Sequence, residues 1–286
     1  MITIKQYTLP KQRSHFNLYA KYRHFIPKIL RPCIESKIFS HSHPHPKKHN
    51  PDLYISLGNN CISAIILSLL NLRTFSFPFD WISGGPLNKN LDCILNEFKD
   101  FLNYQDLIYP SEPVAEGQHL HVHNVRTDTF FVHDFSNNTL PEFHSVEEKY
   151  KRRCNRLLHS CASKKILFLY TESNPDNTDY KKLAERSLEK LNLVKNKLHA
   201  KEIKLIILHS SNIESSEIET FQYNDSSIYI FGTKWAKPFP FKEHERFKFA
   251  FLVKEILQTI EADSERHFSS QSPNNHVELK TPTKPQ

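Results

Sequence analysis

The chain has 286 residues, of which 38% are hydrophobic, enough to bury one core of ordinary size with tails to spare. Lys and Arg exceed Asp and Glu by 38 to 31, but the excess sits mostly in the first fifty residues, so basicity marks an arm and not the fold. Only five glycines occur and none forms a phosphate-cradling loop, which argues against nucleoside triphosphate chemistry, and no apolar run reaches bilayer length.

Residues 1–50 are basic, proline-punctuated and rich in histidine. The stretch Phe25 to Phe39 predicts a short helix interrupted by Pro27 and Pro32. His41, His43, His45 and His49 lie between prolines without an acidic partner, so a flexible linker is favoured over a metal site. No long Arg/Lys run appears. A nucleic-acid partner is therefore not expected, and an arm that touches polyanions stays a minor alternative. The N-terminus has neither an apolar h-region nor a small-residue cleavage site, so no signal peptide is expected. The five cysteines are Cys33, Cys61, Cys93, Cys154 and Cys161. Their odd count and the lack of Cys-x-x-Cys spacing disfavour a disulfide framework or structural zinc. A reducing, cytoplasmic setting fits better.

The stretch from Leu53 to Ile82 organises the rest. Leu53 to Leu57 is a short apolar run that predicts a central buried strand. Gly58, Asn59 and Asn60 tolerate unusual backbone angles and predict a tight turn. From Cys61 the pattern is helical, with Ile62, Ile65, Ile66, Leu69 and Leu70 at spacings of three and four. A cysteine at a helix start meets unsatisfied N–H groups and the positive end of the macrodipole, both of which favour the thiolate. A small buried hydrophobe is the bland alternative.

The run Ser56 to Cys61 is followed by Arg73 and by Pro78-Phe79-Asp80-Trp81-Ile82. With Phe131-Val-His133-Asp134-Phe135 and with Lys149 to Arg153 before a strand at Ile166, this resembles a bacterial family of unknown function catalogued as papain-like cysteine peptidases. The resemblance runs from about Leu53 to Thr171. It implies Cys61 as nucleophile and His133 as base, with Arg73 and Trp81 as substrate-binding residues. Similar papain-like proteins of bacterial capsule loci bind coenzyme A. Acyl transfer from a coenzyme A thioester to a surface sugar is thus the implied alternative to peptidase action.

Thr74 to Phe79 predicts a second strand or an extended segment, and Ser83 to Pro86 a loop. Asp80 is placed either to orient a catalytic histidine or to bond the Cys61 turn, with a plain turn aspartate as the alternative. Leu91 to Leu102 predicts a helix and Gln118 to His133 one or two strands. His119, His121 and His123 would share one strand face, but no carboxylate stands at ligand spacing and no metal is expected. Asp134 follows His133 and would point the other way in a regular strand.

Val146 to Cys161 predicts a basic helix whose cations could hold a carboxylate or phosphate, a solvated face being simpler. Apolar runs at Lys165–Thr171, Ile203–His209 and Ser227–Phe231 alternate with helical patterns at Tyr180–His199 and His244–Ala262. That alternation predicts a layered βαβ fold with a mostly parallel sheet. A papain-like α+β architecture is the competing expectation. Strand, tight turn and nucleophile also resemble the Gly-Ser-Cys-Phe-Ala family, relatives of the SGNH esterases. Ligands bind such sheets at the carboxyl ends of strands, where Gly58 to Cys61 and Thr171-Glu172-Ser173-Asn174 would meet. The domain is expected over residues 51–262, with a disordered polar tail over 263–286.

The expected chemistry is acyl transfer by Cys61 on a peptide, glycan or small-molecule substrate, with His133 as base, Asp80 or Asp134 orienting it, and N–H groups near Asn60 and Cys61 as oxyanion donors. The alternatives are a coenzyme A-dependent acyltransferase or a non-catalytic module in surface polysaccharide biosynthesis. Oligomeric state is not legible.

Overall fold

The computed structural model describes residues 3–8, 51–110, 119–136, 139–172, 179–210, 217–223, 226–233 and 243–270. The expected helix over 25–39, Cys33, the run His41 to His49 and residues 271–286 lie outside these. The strands are β1 (Thr3–Thr8), β2 (Leu53–Ser56), β3 (Ile82–Gly84), β4 (Leu107–Ile108), β5 (Leu120–Asn124), β6 (Thr129–Phe135), β7 (Lys165–Glu172), β8 (Glu202–Ser210), β9 (Glu217–Tyr223) and β10 (Ser226–Thr233). The helices are α1 (Ile62–Leu69), α2 (Leu87–Leu95), α3 (Leu140–Ser160), α4 (Tyr180–Lys197) and α5 (Glu243–Ser270).

The main sheet has the order β1-β9-β10-β8-β7-β2. Its four strands from β10 to β2 run parallel; β9 is antiparallel to β10, and β1 is antiparallel to β9. The parallel strands read as continuous apolar runs because both faces are covered. Along β7, Ile166, Phe168 and Tyr170 enter one core, shared with α2, α3 and α4. Leu167 and Leu169 enter the other, shared with α1 and α5. Each such side chain contributes roughly 1.5–3 kcal/mol of transfer free energy, so alternation on one strand holds both layers to the sheet. The architecture is therefore the layered α/β fold, not the papain-like α+β one.

A second, antiparallel sheet has the order β3-β6-β5-β4. It meets the main sheet where Asn59 bridges to Gly84. This junction corrects three expectations. The strand β2 is buried along its length but lies at the sheet edge, not the centre. Its apolar Leu53 and Ile55 share one core with Phe77, Phe79 and Ile82 from the segment that follows α1. Residues 74–79 are not a strand. The Asp80 carboxylate accepts the Phe77 N–H at 2.9 Å and closes a turn, which moves the strand to Ile82–Gly84, where a loop was expected.

Helix α2 stops at Leu95, short of the expected Leu102, because Glu97 and Phe98 are left-handed. Helix α3 starts earlier than expected, at Leu140, with Pro141 in its first turn. Helix α5 passes the expected boundary at 262 and runs to Ser270. Thr3–Thr8 is paired along β9 from Thr8 to Thr3, so this segment of the supposed arm is a sheet strand. Its Thr-Ile-Lys-Gln-Tyr-Thr alternation has β-propensity but too little apolar length to stand out in the sequence. No helix among the described residues is long and apolar enough to cross a membrane.

Candidate active site

The chain leaves β2 through Gly58 and Asn59, both left-handed at φ 86° and 58°, and enters α1 with Cys61 at its N-cap. Gly58 is required by space as well as by angle. A Cβ there would stand 3.2 Å from the Asn90 amide nitrogen and 3.3 Å from the Phe79 Cβ. Asn90, on α2, donates to the Leu57 carbonyl at 2.8 Å and to the Gly85 carbonyl at 2.9 Å, tying the turn to the second sheet.

Capping of α1 falls to Asn60, not Cys61. The Asn60 Oδ1 accepts the Ile62 N–H at 3.0 Å and the Thr171 hydroxyl at 2.8 Å, while its Nδ2 donates to the Thr171 carbonyl at 3.1 Å. Ser63 adds a hydroxyl contact to Thr171 at 2.9 Å. Asn59 Nδ2 donates to Glu172 Oε2 at 2.6 Å and to the Tyr170 hydroxyl at 3.0 Å. The turn and the end of β7 thus meet at the carboxyl edge of the sheet, as expected for Thr171 and Glu172. Ser173 and Asn174 lie outside the described residues.

Of the four described cysteines, Cys61 alone reaches solvent; Cys93, Cys154 and Cys161 are buried. Burial pushes Cys93 to about 12 and Cys161 to about 11. Burial also raises the Cys61 thiol above its ordinary value, against the pull of the Arg246 guanidinium and a backbone hydrogen bond. This direction is opposite to the one that a helix start favours. Arg246 comes from α5, nearly two hundred residues away in the chain, and no motif or spacing marked it.

His133 sits in a β-bulge. Leu120 and Val122 of β5 pair with Phe135 and Phe131 of β6, so the β6 segment between them is longer than its partner. The bulge leaves His133 exposed between buried Phe131 and Phe135. Its ring packs edge-on against Trp81 and against His119, both at 6.4 Å between centroids. Partial desolvation of the ring lowers its pKa, aided by His119 and His121 and opposed by Asp134. No hydrogen bond joins Cys61 to His133.

Neither aspartate hydrogen-bonds that imidazole. Asp80 is bonded by Arg73 Nε at 3.0 Å and Nη2 at 2.7 Å and by the Phe77 N–H. Asp134 pairs with Lys149 and accepts the Tyr150 hydroxyl at 2.7 Å. Arg73 also lies over the Trp81 ring at 5.5 Å. The three alternating histidines part company: His123 stacks on Phe130 and bonds Asp128, while His119 turns toward His133. Among the described residues no three His, Cys, Asp or Glu side chains gather to hold a metal.

Residues 52–212 match a family described as "Putative papain-like cysteine peptidase". The chain is also similar to an uncharacterized protein of Acanthamoeba polyphaga mimivirus, 30% identical over 159 residues, covering 50% of this chain and 69% of that protein. This relative is viral, not bacterial. No solved structure matches. The strand–turn–helix around Cys61, the Trp81 turn and the His133 strand all fall inside the matched span, and the chain belongs to this papain-like cysteine peptidase family.

Proposed function

We propose that the chain is a thiol-dependent acyl-transfer enzyme of the cysteine-hydrolase type, with Cys61 as nucleophile. The observation that carries this is the placement of the one solvent-reaching described cysteine at the N-cap of α1, on the carboxyl edge of a parallel sheet. With burial raising the thiol's pKa, attack calls for a base. His133, held toward its neutral form, is the base assigned here.

The imidazole takes the thiol proton as sulfur adds to the acyl carbon. The first-turn N–H groups receive the oxyanion. Collapse expels the leaving group, which takes the proton from the imidazolium and leaves an acyl-thioester on Cys61. Water, activated by the same imidazole, then releases the acid and restores the thiol. Contacts of this kind often tighten only around substrate, so the absence of a Cys61–His133 bond is compatible with the pairing. With Asp80 and Asp134 engaged elsewhere, the assignment is a Cys–His pair without a third carboxylate.

An acceptor hydroxyl in place of water gives acyl transfer, with a coenzyme A thioester as donor and a glycan as acceptor. A second reading is a non-catalytic module of surface polysaccharide biosynthesis in the cytoplasm, in which Cys61 is merely packed; the burial that raises its pKa fits a packed thiol but does not name the role. The test is turnover of a fluorogenic peptide and of an acyl-coenzyme A thioester by wild type, Cys61→Ala and His133→Ala. Hydrolysis or transfer lost in both variants supports the enzyme. Wild type without turnover of either substrate, and with no acyl group on Cys61 by mass spectrometry, supports the module.

A further inference from the structure

A second polar centre lies on the loop that carries Trp81. Arg73 and Arg156 both reach Ser76: Arg73 Nη2 donates to its hydroxyl at 2.7 Å and Arg156 Nη1 to its carbonyl at 2.6 Å. Arg153, one turn before Arg156 on α3, lies over the Tyr150 ring at 5.2 Å and acts electrostatically on Asp80. Among the described residues Asp80 is the carboxylate paired with this group, and it is paired with Arg73 alone. The side chains are half-buried, and Asp80 is fully buried.

Arg73 and Arg153 both act on the one carboxylate, and Arg156 joins them on the same loop through Ser76, so this half-buried group carries more positive than negative charge, which an anion would offset. Two atoms mark where that anion would bond. Arg153 Nη1 is a buried donor and Asp80 Oδ1 a buried acceptor, each without a hydrogen-bond partner. We infer that Arg73, Arg153 and Arg156 form a binding site for an oxyanion group of a ligand, a phosphate in preference to a carboxylate. A hydrogen phosphate accepts from the guanidinium forks and keeps one hydroxyl to donate to Asp80 Oδ1; a carboxylate supplies only the first half. Phe75, exposed beneath the Arg156 guanidinium at 5.6 Å, and Trp81 beside Arg73 give an apolar rim for whatever carries the group.

The inference does not depend on acyl transfer at Cys61, and binding is accordingly measured also on Cys61→Ala. Inorganic phosphate is titrated calorimetrically at fixed ionic strength, with acetate as the carboxylate arm. Saturable phosphate binding is expected in wild type and in Cys61→Ala, with acetate about tenfold weaker or more. Arg153→Gln and Arg156→Gln should each weaken phosphate about tenfold, and Arg156→Lys by less, since it keeps the charge and loses the fork. Arg126→Gln, on an exposed cation paired with Asp100 and Asp106, should leave binding unchanged. Circular dichroism checks that each variant is folded. Absence of saturable phosphate binding in wild type overturns the site, as does equal binding in folded Arg153→Gln and Arg156→Gln.

Discussion

The turn from Gly58 to Cys61 has two flanks of different character. On the parallel-sheet side, Tyr170, Thr171 and Glu172 hold Asn59 and Asn60 by direct hydrogen bonds, all to one strand end. On the antiparallel side the turn itself is tied by the Asn59–Gly84 bridge and by Asn90, which bonds the Leu57 and Gly85 carbonyls, but the side chains beyond it, Trp81, His133 and His119, meet through ring edges. Hydrogen bonds fix direction, whereas edge contacts worth about 1 kcal/mol leave a side chain free to turn. The fixed flank therefore sets where Cys61 stands. The looser flank carries the groups able to move toward it.

Substitutions that break one flank and spare the other sharpen this contrast. The largest effect is expected at the junction between the sheets. Gly84 has φ 71°, and a Cβ there would lie 2.7 Å from the Asp128 carbonyl oxygen. Gly84→Ala should cost about 2–4 kcal/mol in urea unfolding; a loss below 0.5 kcal/mol would show the junction to be slack.

Next comes Asp80→Ala, which removes a buried acceptor of three hydrogen bonds and leaves Arg73 without its carboxylate. A loss of about 2–3 kcal/mol is expected, discounted because Arg73 keeps some contact with water. The His133 and Trp81 ring resonances should shift with it. Unchanged resonances in a destabilised variant would separate the Asp80 turn from the histidine.

On the fixed flank, Asn59→Ala deletes the bonds to Tyr170 and Glu172 and places alanine in a left-handed angle, for about 1–2 kcal/mol. Asn59→Gly should recover the part due to backbone angle.

The smaller effects are electrostatic. With its pKa raised, Cys61 should be alkylated slowly at neutral pH, the rate climbing through a midpoint above the ordinary thiol value. Arg246→Gln should slow labelling about two- to fivefold at a given alkaline pH, because the thiolate loses its cation. Labelling of Cys93 or Cys161 ahead of Cys61 would contradict the exposure order. The smallest effect concerns His133. Its folded pKa lies below the ordinary value, so its contribution is present above the unfolded histidine pKa and lost as pH falls through the folded one. His133→Asn should flatten the acid side of the stability profile, and an identical slope in both proteins would remove that role.

What the sequence determined by itself were the features written in local chemistry. The apolar run to Leu57, the Gly-Asn-Asn turn and the helical spacing from Ile62 fixed strand, turn and helix, and with them the N-cap position of Cys61. The alternation of apolar runs at β7, β8 and β10 with helical stripes fixed the parallel layered sheet, since each pattern follows from which faces must leave water. Tertiary structure alone decided what stands around the cysteine. Asp80 and Asp134 were legible as candidate orienters, yet Arg73 and Lys149 claim them. Asn90 bonds the turn, and Arg246 acts electrostatically on Cys61, from helices distant in the chain. The bulge at His133 arises from strand pairing that no single strand displays. The direction of the thiol's pKa shift arises in the same way: the helix start is a local feature, whereas desolvation sums over every chain segment that packs against Cys61.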